Sequence, residues 1–164
     1  MAAANEELPE IYLQPGESRL VKEPTILRTL LGSCVGIAFW APRYGASALC
    51  HAMLPHFSVK QAATMTRSAC CRYVDFAIRD LARQFDALGI QRKEIVVKVF
   101  GGGDVLNTAG DPARPTVGRL NIEVAVRVLE EEGFYIMASS LGGSRGINIY
   151  FNTQTGEVRL KRHS

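Results

Sequence analysis

The first half of the chain alternates between short apolar runs and turn-forming residues, a pattern typical of β-structure. Apolar and β-branched runs predict strands over residues 25–31, 35–40 and 46–53. The segment APRYG at 41–45 separates the last two runs and has the length of a hairpin connection. We therefore expect residues 35–40 and 46–51 to pair as antiparallel strands.

Two longer segments, residues 61–88 and 118–132, carry apolar side chains at steps of three or four, the spacing of one helix face. These positions are Tyr73, Ala77, Leu81, Phe85 and Leu88 in the first segment and Ile122, Val126 and Leu129 in the second. Gly89 and Gly133 follow the two segments, and glycine commonly ends a helix. The pattern predicts two long helices, with Asn121 as a rival N-cap of the second.

The remaining apolar runs predict strands over residues 94–100, 134–141, 147–152 and 157–161. Residues 108–115 contain Gly110, Asp111, Pro112 and Pro115 and indicate an exposed excursion. Two helices set among about seven strands, many joined by hairpins, favour an α+β fold over a doubly wound sheet.

The amino-acid composition is typical of a folded globular protein. Of its 164 residues, 47% are hydrophobic and 21% are charged, which suits one domain over residues 1–164. The opening residues 1–9, MAAANEELP, predict a flexible lead-in and lack the apolar core of a secretory signal. Because no apolar run reaches the roughly 20 residues of a membrane span, we expect a cytoplasmic protein that is not inserted in a membrane.

The charge balance argues against nucleic acid as a partner. Nineteen basic and sixteen acidic residues leave a net charge of +3, which is too small to predict binding to nucleic acid or to an anionic membrane. The one basic cluster, Arg159, Lys161 and Arg162, is diluted by Glu157.

Cys34 is the sharpest candidate for chemistry. It lies in the segment LGSCVG at 31–36, where glycine on each side allows a strained turn and the close approach of a substrate. A nucleophile needs these properties and a core residue does not. The alternative is that Cys34 only fills the core, because free cysteine is among the most buried residue types.

His51 and Thr29 complete a candidate site around Cys34. Antiparallel pairing of the predicted hairpin brings the start of its first strand, at Cys34, beside the end of its second, at His51. A cysteine needs such a base to become a nucleophile, and the hydroxyl of Thr29 could orient the imidazole. Alternatively, His51 is a satisfied core histidine and Thr29 is a strand residue chosen for its shape.

Two glycine-rich segments carry weaker motifs. The segment GGSRG at 142–146 matches the G-x-S-x-G pattern of serine hydrolases, but the sequence after it predicts a strand where that fold requires a helix. The run Gly101-Gly102-Gly103 follows a strand but lacks the rest of a phosphate-binding motif, so it predicts a structural turn.

A metal site is a third alternative around the same histidine. Cys50, His51 and His56 could ligate a metal, but their spacing matches no recurrent pattern and zinc usually takes four ligands. Cys70 and Cys71 fall within the first predicted helix and are expected to be packing residues. We therefore expect neither a metal nor a cofactor.

The segment LLGSCVGIAFW at 30–40, followed by CHAMLP at 50–55, closely resembles the CheD family of bacterial chemoreceptor glutamine deamidases. KVFGGGDVLN at 98–107, NIEVAVRVLEEEGF at 121–134 and LGGSRGINIYFNTQTGEV at 141–158 are similar to the later family blocks, in the same order. The resemblance covers nearly the whole chain, and the pairing of G-S-C with H-x-x-L-P is its most specific part.

The resemblance implies that Cys34 is the nucleophile and that His51, seventeen residues later, is the catalytic histidine. The family's third residue is a threonine just upstream of the cysteine. Thr29 is the nearby candidate, Thr25 is more distant, and in some members the position corresponds to Arg28 here. The implied fold is a layered α/β sandwich of mostly antiparallel or mixed β-sheets with two long helices, similar to the catalytic domain of the deamidating cytotoxic necrotizing factors.

The resemblance also implies an activity. Family members convert glutamine side chains of methyl-accepting chemotaxis receptors to glutamate with release of ammonia, and some also bind the phosphatase CheC. The implied partners are the cytoplasmic domain of a receptor, as substrate, and CheC. Two alternatives stay open: a regulatory binding module that docks on CheC or on a receptor, and a glutamyl methylesterase that uses the same thiol.

Overall fold

The computed structural model describes residues 7–105 and 114–163, apart from the side chains at 61 and 62. Within these ranges the strands are β1 (Glu10–Tyr12), β2 (Ser18–Val21), β3 (Ile26–Leu31), β4 (Val35–Ala41), β5 (Ala46–Ala52), β6 (Val96–Gly101), β7 (Ile136–Leu141), β8 (Ile147–Asn152) and β9 (Val158–Arg162). The α-helices are α1 (Val59–Ala62), α2 (Arg67–Cys70), α3 (Val74–Ala87) and α4 (Val117–Glu131). Most of the predicted lead-in and of the predicted excursion at 108–115 lies outside the described residues.

The strands form two sheets. One has five strands in the order β2-β5-β4-β6-β7, and the other has four in the order β1-β3-β8-β9. Pairing is antiparallel except between β1 and β3 and between β6 and β7. This arrangement of two mixed sheets with two long helices, α3 and α4, confirms the predicted α+β class.

The β4–β5 hairpin forms as the sequence predicts. Val35 pairs with Ala52 and Gly36 pairs with His51 in the antiparallel register. Residues 42–44 make a single 3-10 turn, and Gly45 leaves it in the left-handed conformation at φ 63°, which glycine adopts without strain. The hairpin therefore brings residue 34 and residue 51 to the same end of the five-stranded sheet.

Alternation along β4 and β5 divides the apolar interior into two layers. Val35, Ile37 and Phe39 pack against α3 and α4, in what we call the helix layer. Ala38 of β4 and Leu49 of β5 pack against the four-stranded sheet, in what we call the inter-sheet layer. Successive residues of a strand face opposite sides of the sheet, so each of these strands contributes to both layers. None of the described helices is long and apolar enough to cross a bilayer.

The single long helix predicted over residues 61–88 is wrong, because the chain breaks into α1, α2 and α3. The carbonyl of Arg72 accepts hydrogen bonds from the N–H groups of Met53 and Leu54 at 2.7 and 3.0 Å, and Val74 N–H donates to the carbonyl of Leu54 at 2.8 Å. Tyr73 between them is extended, at φ −95° and ψ 131°. This pairing with the chain just after β5 replaces helical hydrogen bonds, so only the part of the pattern after Tyr73 forms a long helix.

The second helix, predicted over residues 118–132, forms as α4 within one residue at each end, and only the rival N-cap is wrong. Thr116 is the N-cap, and its hydroxyl accepts a hydrogen bond from Arg119 N–H at 3.2 Å. Asn121 therefore does not cap the helix. It lies in the second turn of α4 and is fully buried.

Trp40 joins the two sheets at the edge of the inter-sheet layer. Its indole N–H donates to the carbonyl of Thr153 at 2.8 Å, and the Lys98 ammonium donates to the carbonyl of Gly156 at 3.0 Å. A Cβ atom at Gly156 would lie 2.5 Å from the Trp40 ring, so only glycine fits there. The turn between β8 and β9 is thus held against the five-stranded sheet.

Candidate active site

The imidazole of His51 lies between the two sheets and meets a residue of the opposite sheet. His51 is 2% exposed and Thr29, on β3, is 1% exposed. The hydroxyl oxygen of Thr29 is 2.6 Å from Nδ1 of His51. The structure therefore brings together the two residues that the sequence nominated as base and orienter, across the inter-sheet layer.

A second hydrogen bond of Thr29 determines which nitrogen of His51 carries the proton. The Thr29 hydroxyl donates to the backbone carbonyl of Leu13 at 2.7 Å, and a carbonyl can only accept. A hydroxyl has one proton, so towards His51 it must accept. His51 is then protonated at Nδ1, which leaves the lone pair of Nε2 free to act as a base.

Burial determines the charge of the imidazole. The apolar surroundings lower the pKa of His51 from 6.5 to about 4, and the negative charge of Glu17 opposes this shift. His51 is consequently neutral near pH 7, which is the form that accepts a proton.

Cys34 lies on the short loop between β3 and β4. Its side chain is half-buried and packs against the inter-sheet layer that contains His51. Burial raises the pKa of the Cys34 thiol, and its own backbone N–H opposes the shift. The resting thiol is therefore protonated. No hydrogen bond joins it to the His51 ring in the described part of the chain; in unliganded enzymes such contacts are often long and shorten when substrate binds.

The loop at 32–34 is fastened through its backbone carbonyls. All three accept a hydrogen bond from a distant part of the chain: Gly32 from Gly103 N–H at 2.9 Å, Ser33 from the Asn121 amide at 2.9 Å, and Cys34 from Gly102 N–H at 2.8 Å. At Gly101, with φ 97°, a Cβ atom would lie 2.3 Å from the Cys34 carbonyl oxygen. The Gly101–Gly103 turn is thus structural, as predicted. It supports the loop at 32–34 that carries Cys34.

A cavity of about 730 Å³ opens beside the thiol. Cys34 lines it together with Met53, Leu54, Arg72, Asp104, Thr116 and Val117. Leu54 and Val117 are 37% and 45% exposed, which leaves apolar surface at the mouth of the cavity. An open cleft of this kind can admit a side chain presented by another protein.

The residues considered for a metal site do not come together. Cys50 faces the helix layer, on the opposite side of β5 from His51, and burial raises the pKa of its thiol to about 12. His56 lies instead 3.9 Å from the carboxylate of Asp75. Among the described residues, no group of three or more histidines, cysteines and acids is placed to hold a metal ion.

Asn121 is the site residue that sequence reasoning missed. Its amide nitrogen donates to the carbonyl of Ser33 at 2.9 Å and to that of Met53 at 3.0 Å. Its position in the sequence could have indicated this role. Asn121 precedes Val124, Ala125 and Val128 by three, four and seven residues, so it lies on the same buried face of α4. A polar residue at a core position requires a specific partner.

Comparison with known proteins decides the family. A family model described as CheD chemotactic sensory transduction matches residues 53–162. The chain belongs to the CheD family. A relative from Geobacter sulfurreducens, named "Probable chemoreceptor glutamine deamidase CheD 2", is 39% identical over 99% of this chain and 95% of its own length. A relative from Maridesulfovibrio salexigens, named "Probable chemoreceptor glutamine deamidase CheD", is 33% identical over 95% of this chain and 93% of its own.

The CheD family model begins at Met53 and so does not include the three candidate site residues. The Geobacter relative covers their positions, because its alignment spans 162 residues of the chain. Among solved structures, YlmD from Geobacillus stearothermophilus has a TM-score of 0.49 at 17% identity, covering 77% of this chain and 50% of that one.

Proposed function

We propose that this CheD family member is a cysteine-dependent deamidase that converts glutamine side chains of chemoreceptors to glutamate. Cys34 is the nucleophile, His51 the base and Thr29 the residue that orients the imidazole. The observation that supports this most directly is the hydrogen-bond relay from His51 through Thr29 to Leu13, because it leaves Nε2 as a free base in the layer where the thiol packs. The substrate class comes from the names of the relatives.

The first half of the reaction forms a thioester. Nε2 of His51 takes the proton from Cys34 as the sulfur attacks the carboxamide carbon of the glutamine. Both groups are neutral beforehand, since burial raises the thiol pKa and lowers that of the imidazole, so the proton moves during the attack. The carbonyl oxygen gains negative charge, and the backbone N–H of Cys34 stabilises it. His51 then gives its proton to the departing nitrogen, and ammonia leaves.

The second half releases the product. Neutral His51 takes a proton from a water molecule, whose oxygen attacks the thioester carbon. The carbon–sulfur bond breaks, the proton returns to the sulfur, and the side chain leaves as glutamate. Thr29 keeps Nδ1 protonated throughout, so Nε2 performs every transfer.

The proposed partners come from the names of the relatives and from the sequence resemblance. The substrate is the cytoplasmic domain of a methyl-accepting chemotaxis receptor, and the enzyme therefore works in the cytoplasm. Apolar Leu54 and Val117 at the mouth of the cavity would contact the receptor surface around the glutamine. CheC is proposed as a second partner on the sequence resemblance alone.

The test is peptide mass spectrometry of a cognate receptor fragment incubated with the wild-type protein and with Cys34→Ser and His51→Gln. We expect conversion of glutamine to glutamate with the wild type and a loss of about 10³-fold or more with each variant. Cys50→Ala is the matched control: it removes a neighbouring thiol from the opposite face of β5 and should leave the rate unchanged.

Two results would contradict the proposal. Conversion by Cys34→Ser at the wild-type rate would exclude the thiol mechanism. Absence of conversion by a wild-type protein whose Cys34 reacts with thiol reagents would favour the binding module. A receptor peptide with glutamyl methyl esters, assayed in parallel, separates deamidase from methylesterase activity.

A further inference from the structure

We infer that Asn121 is a positioning residue that aims the backbone N–H of Cys34 at the oxygen of the reacting carbonyl. This role rests on the proposed acyl transfer to Cys34. The hydrogen bonds of one buried side chain and the planarity of one peptide group support it.

The orientation of the Asn121 amide is determined by its partners. The carbonyl oxygens of Ser33 and Met53 lie 2.9 and 3.0 Å from its nitrogen, and both can only accept. The NH₂ group must therefore face them. The side-chain oxygen is buried and has no hydrogen-bond partner among the described residues. An unpaired buried acceptor is unfavourable, so this asparagine is explained by its two donors.

The bond to Ser33 orients the peptide group between Ser33 and Cys34. In a planar trans peptide the C=O and the following N–H point in opposite directions. With the Ser33 carbonyl directed at Asn121, the Cys34 N–H must point away from α4. It lies beside its own sulfur, where it lowers the thiol pKa. No acceptor elsewhere in the described ranges takes this N–H, which leaves it available to a developing oxyanion.

The bond to Met53 connects the same amide to the strand that carries the base. Met53 follows β5 directly, two residues after His51. The Asn121 side chain thus fixes the loop at 32–34 relative to the end of β5, the strand that carries His51. Gly118, one turn earlier, permits the close approach of α4, since a Cβ atom there would lie 2.4 Å from the carbonyl oxygen of Gly103.

Two kinds of reaction at Cys34 separate this role from general structural support. Iodoacetamide reacts by displacement at a saturated carbon, and no oxyanion forms. Acylation by p-nitrophenyl acetate and deamidation of glutamine both pass through an oxyanion at a carbonyl carbon. When the thiol is fully ionised, its pKa no longer affects these rates. A residue that only supports the loop then affects all three reactions, whereas a residue that aims the N–H affects only the last two.

The experiment compares the wild type with Asn121→Asp, which is nearly isosteric but replaces the donors with a carboxylate, and with Asn121→Ala. We expect the rate of Cys34 alkylation, measured at a pH where the thiol is fully ionised so that a change in its pKa has no effect, to stay close to that of the wild type. The rates of acylation and deamidation should fall by about tenfold or more. The loss of deamidation should appear in kcat and not in KM. Val124→Ala, on the same buried face of α4, is the control for lost helix packing and should show no such split.

Each outcome decides the question. An equal fall in all three rates, or no fall in any, overturns the inference. Failure of both Asn121 variants to fold, judged by circular dichroism, would assign the residue to stability and also overturn it. Because acylation needs no receptor, a split in the small-molecule rates without deamidation by the wild type would support the role of Asn121 while rejecting the proposed substrate.

Discussion

The five-stranded sheet has two faces with different contents. On the helix layer the side chains of β4 and β5 are apolar or cysteine, as at Phe39 and Cys50. On the inter-sheet layer the same hairpin buries His51, which meets Thr29 of the other sheet. Cys50 and His51 are neighbours in sequence, so period-two alternation places a packing residue and the proposed base on opposite faces of a single strand.

The largest expected effect comes from breaking the helix layer. Leu81 is fully buried on α3 in that layer, and Leu81→Ala should lower the free energy of unfolding by about 3–4 kcal/mol through lost burial and a residual cavity. Activity per folded molecule should not change. Urea denaturation and receptor deamidation measured on one preparation check both halves of this prediction.

Leu49→Ala is the matched variant in the inter-sheet layer. Leu49 is equally buried and faces the same side of β5 as His51. Leu49→Ala should lower the free energy of unfolding by a similar amount. It should also reduce activity, since the imidazole of His51 loses packing on its own face of β5. If the two variants have the same effect on activity, the division between the layers does not hold.

A smaller effect concerns pH. The pKa of His51 is about 4 in the folded protein and 6.5 ordinarily, so the unfolded chain binds the proton first as pH falls. The stability that His51 contributes is complete above pH 6.5 and is lost towards pH 4, in total about 3 kcal/mol. His51→Gln removes this dependence. The difference in unfolding free energy between wild type and variant, followed from neutral pH to about 4, measures it; a constant difference contradicts the prediction.

The smallest expected effect comes from removing the hydroxyl of Thr29. Thr29→Val keeps the shape of the side chain but leaves both the Leu13 carbonyl and the Nδ1 proton of His51 without their partner. A lost hydrogen bond of about 1.4 kcal/mol corresponds to about a tenfold fall in kcat. Thr29→Ser should restore most of the rate. A serine variant as slow as the valine variant would show that the hydroxyl is not what matters.

The sequence predicted what depends on neighbours along the chain and missed what depends on distant partners. The β4–β5 hairpin and its Cys34–His51 end follow from two apolar runs and a five-residue connection. The partners of Asn121 lie 88 and 68 residues away in the chain, and no periodicity shows them. The predicted helix over 61–88 failed for the same reason, since its apolar spacing contains no sign of the pairing between Arg72 and the end of β5.

Trp40 makes the separation of the two sheets directly observable. It is the only tryptophan of the chain, and its ring lies against Gly156 with its N–H bonded across to the other sheet. Its fluorescence should therefore change when the two sheets, between which His51 and Thr29 meet, separate. The protein thus carries an intrinsic optical probe of the sheet packing that holds His51 against Thr29, and this probe needs neither a label nor a substrate.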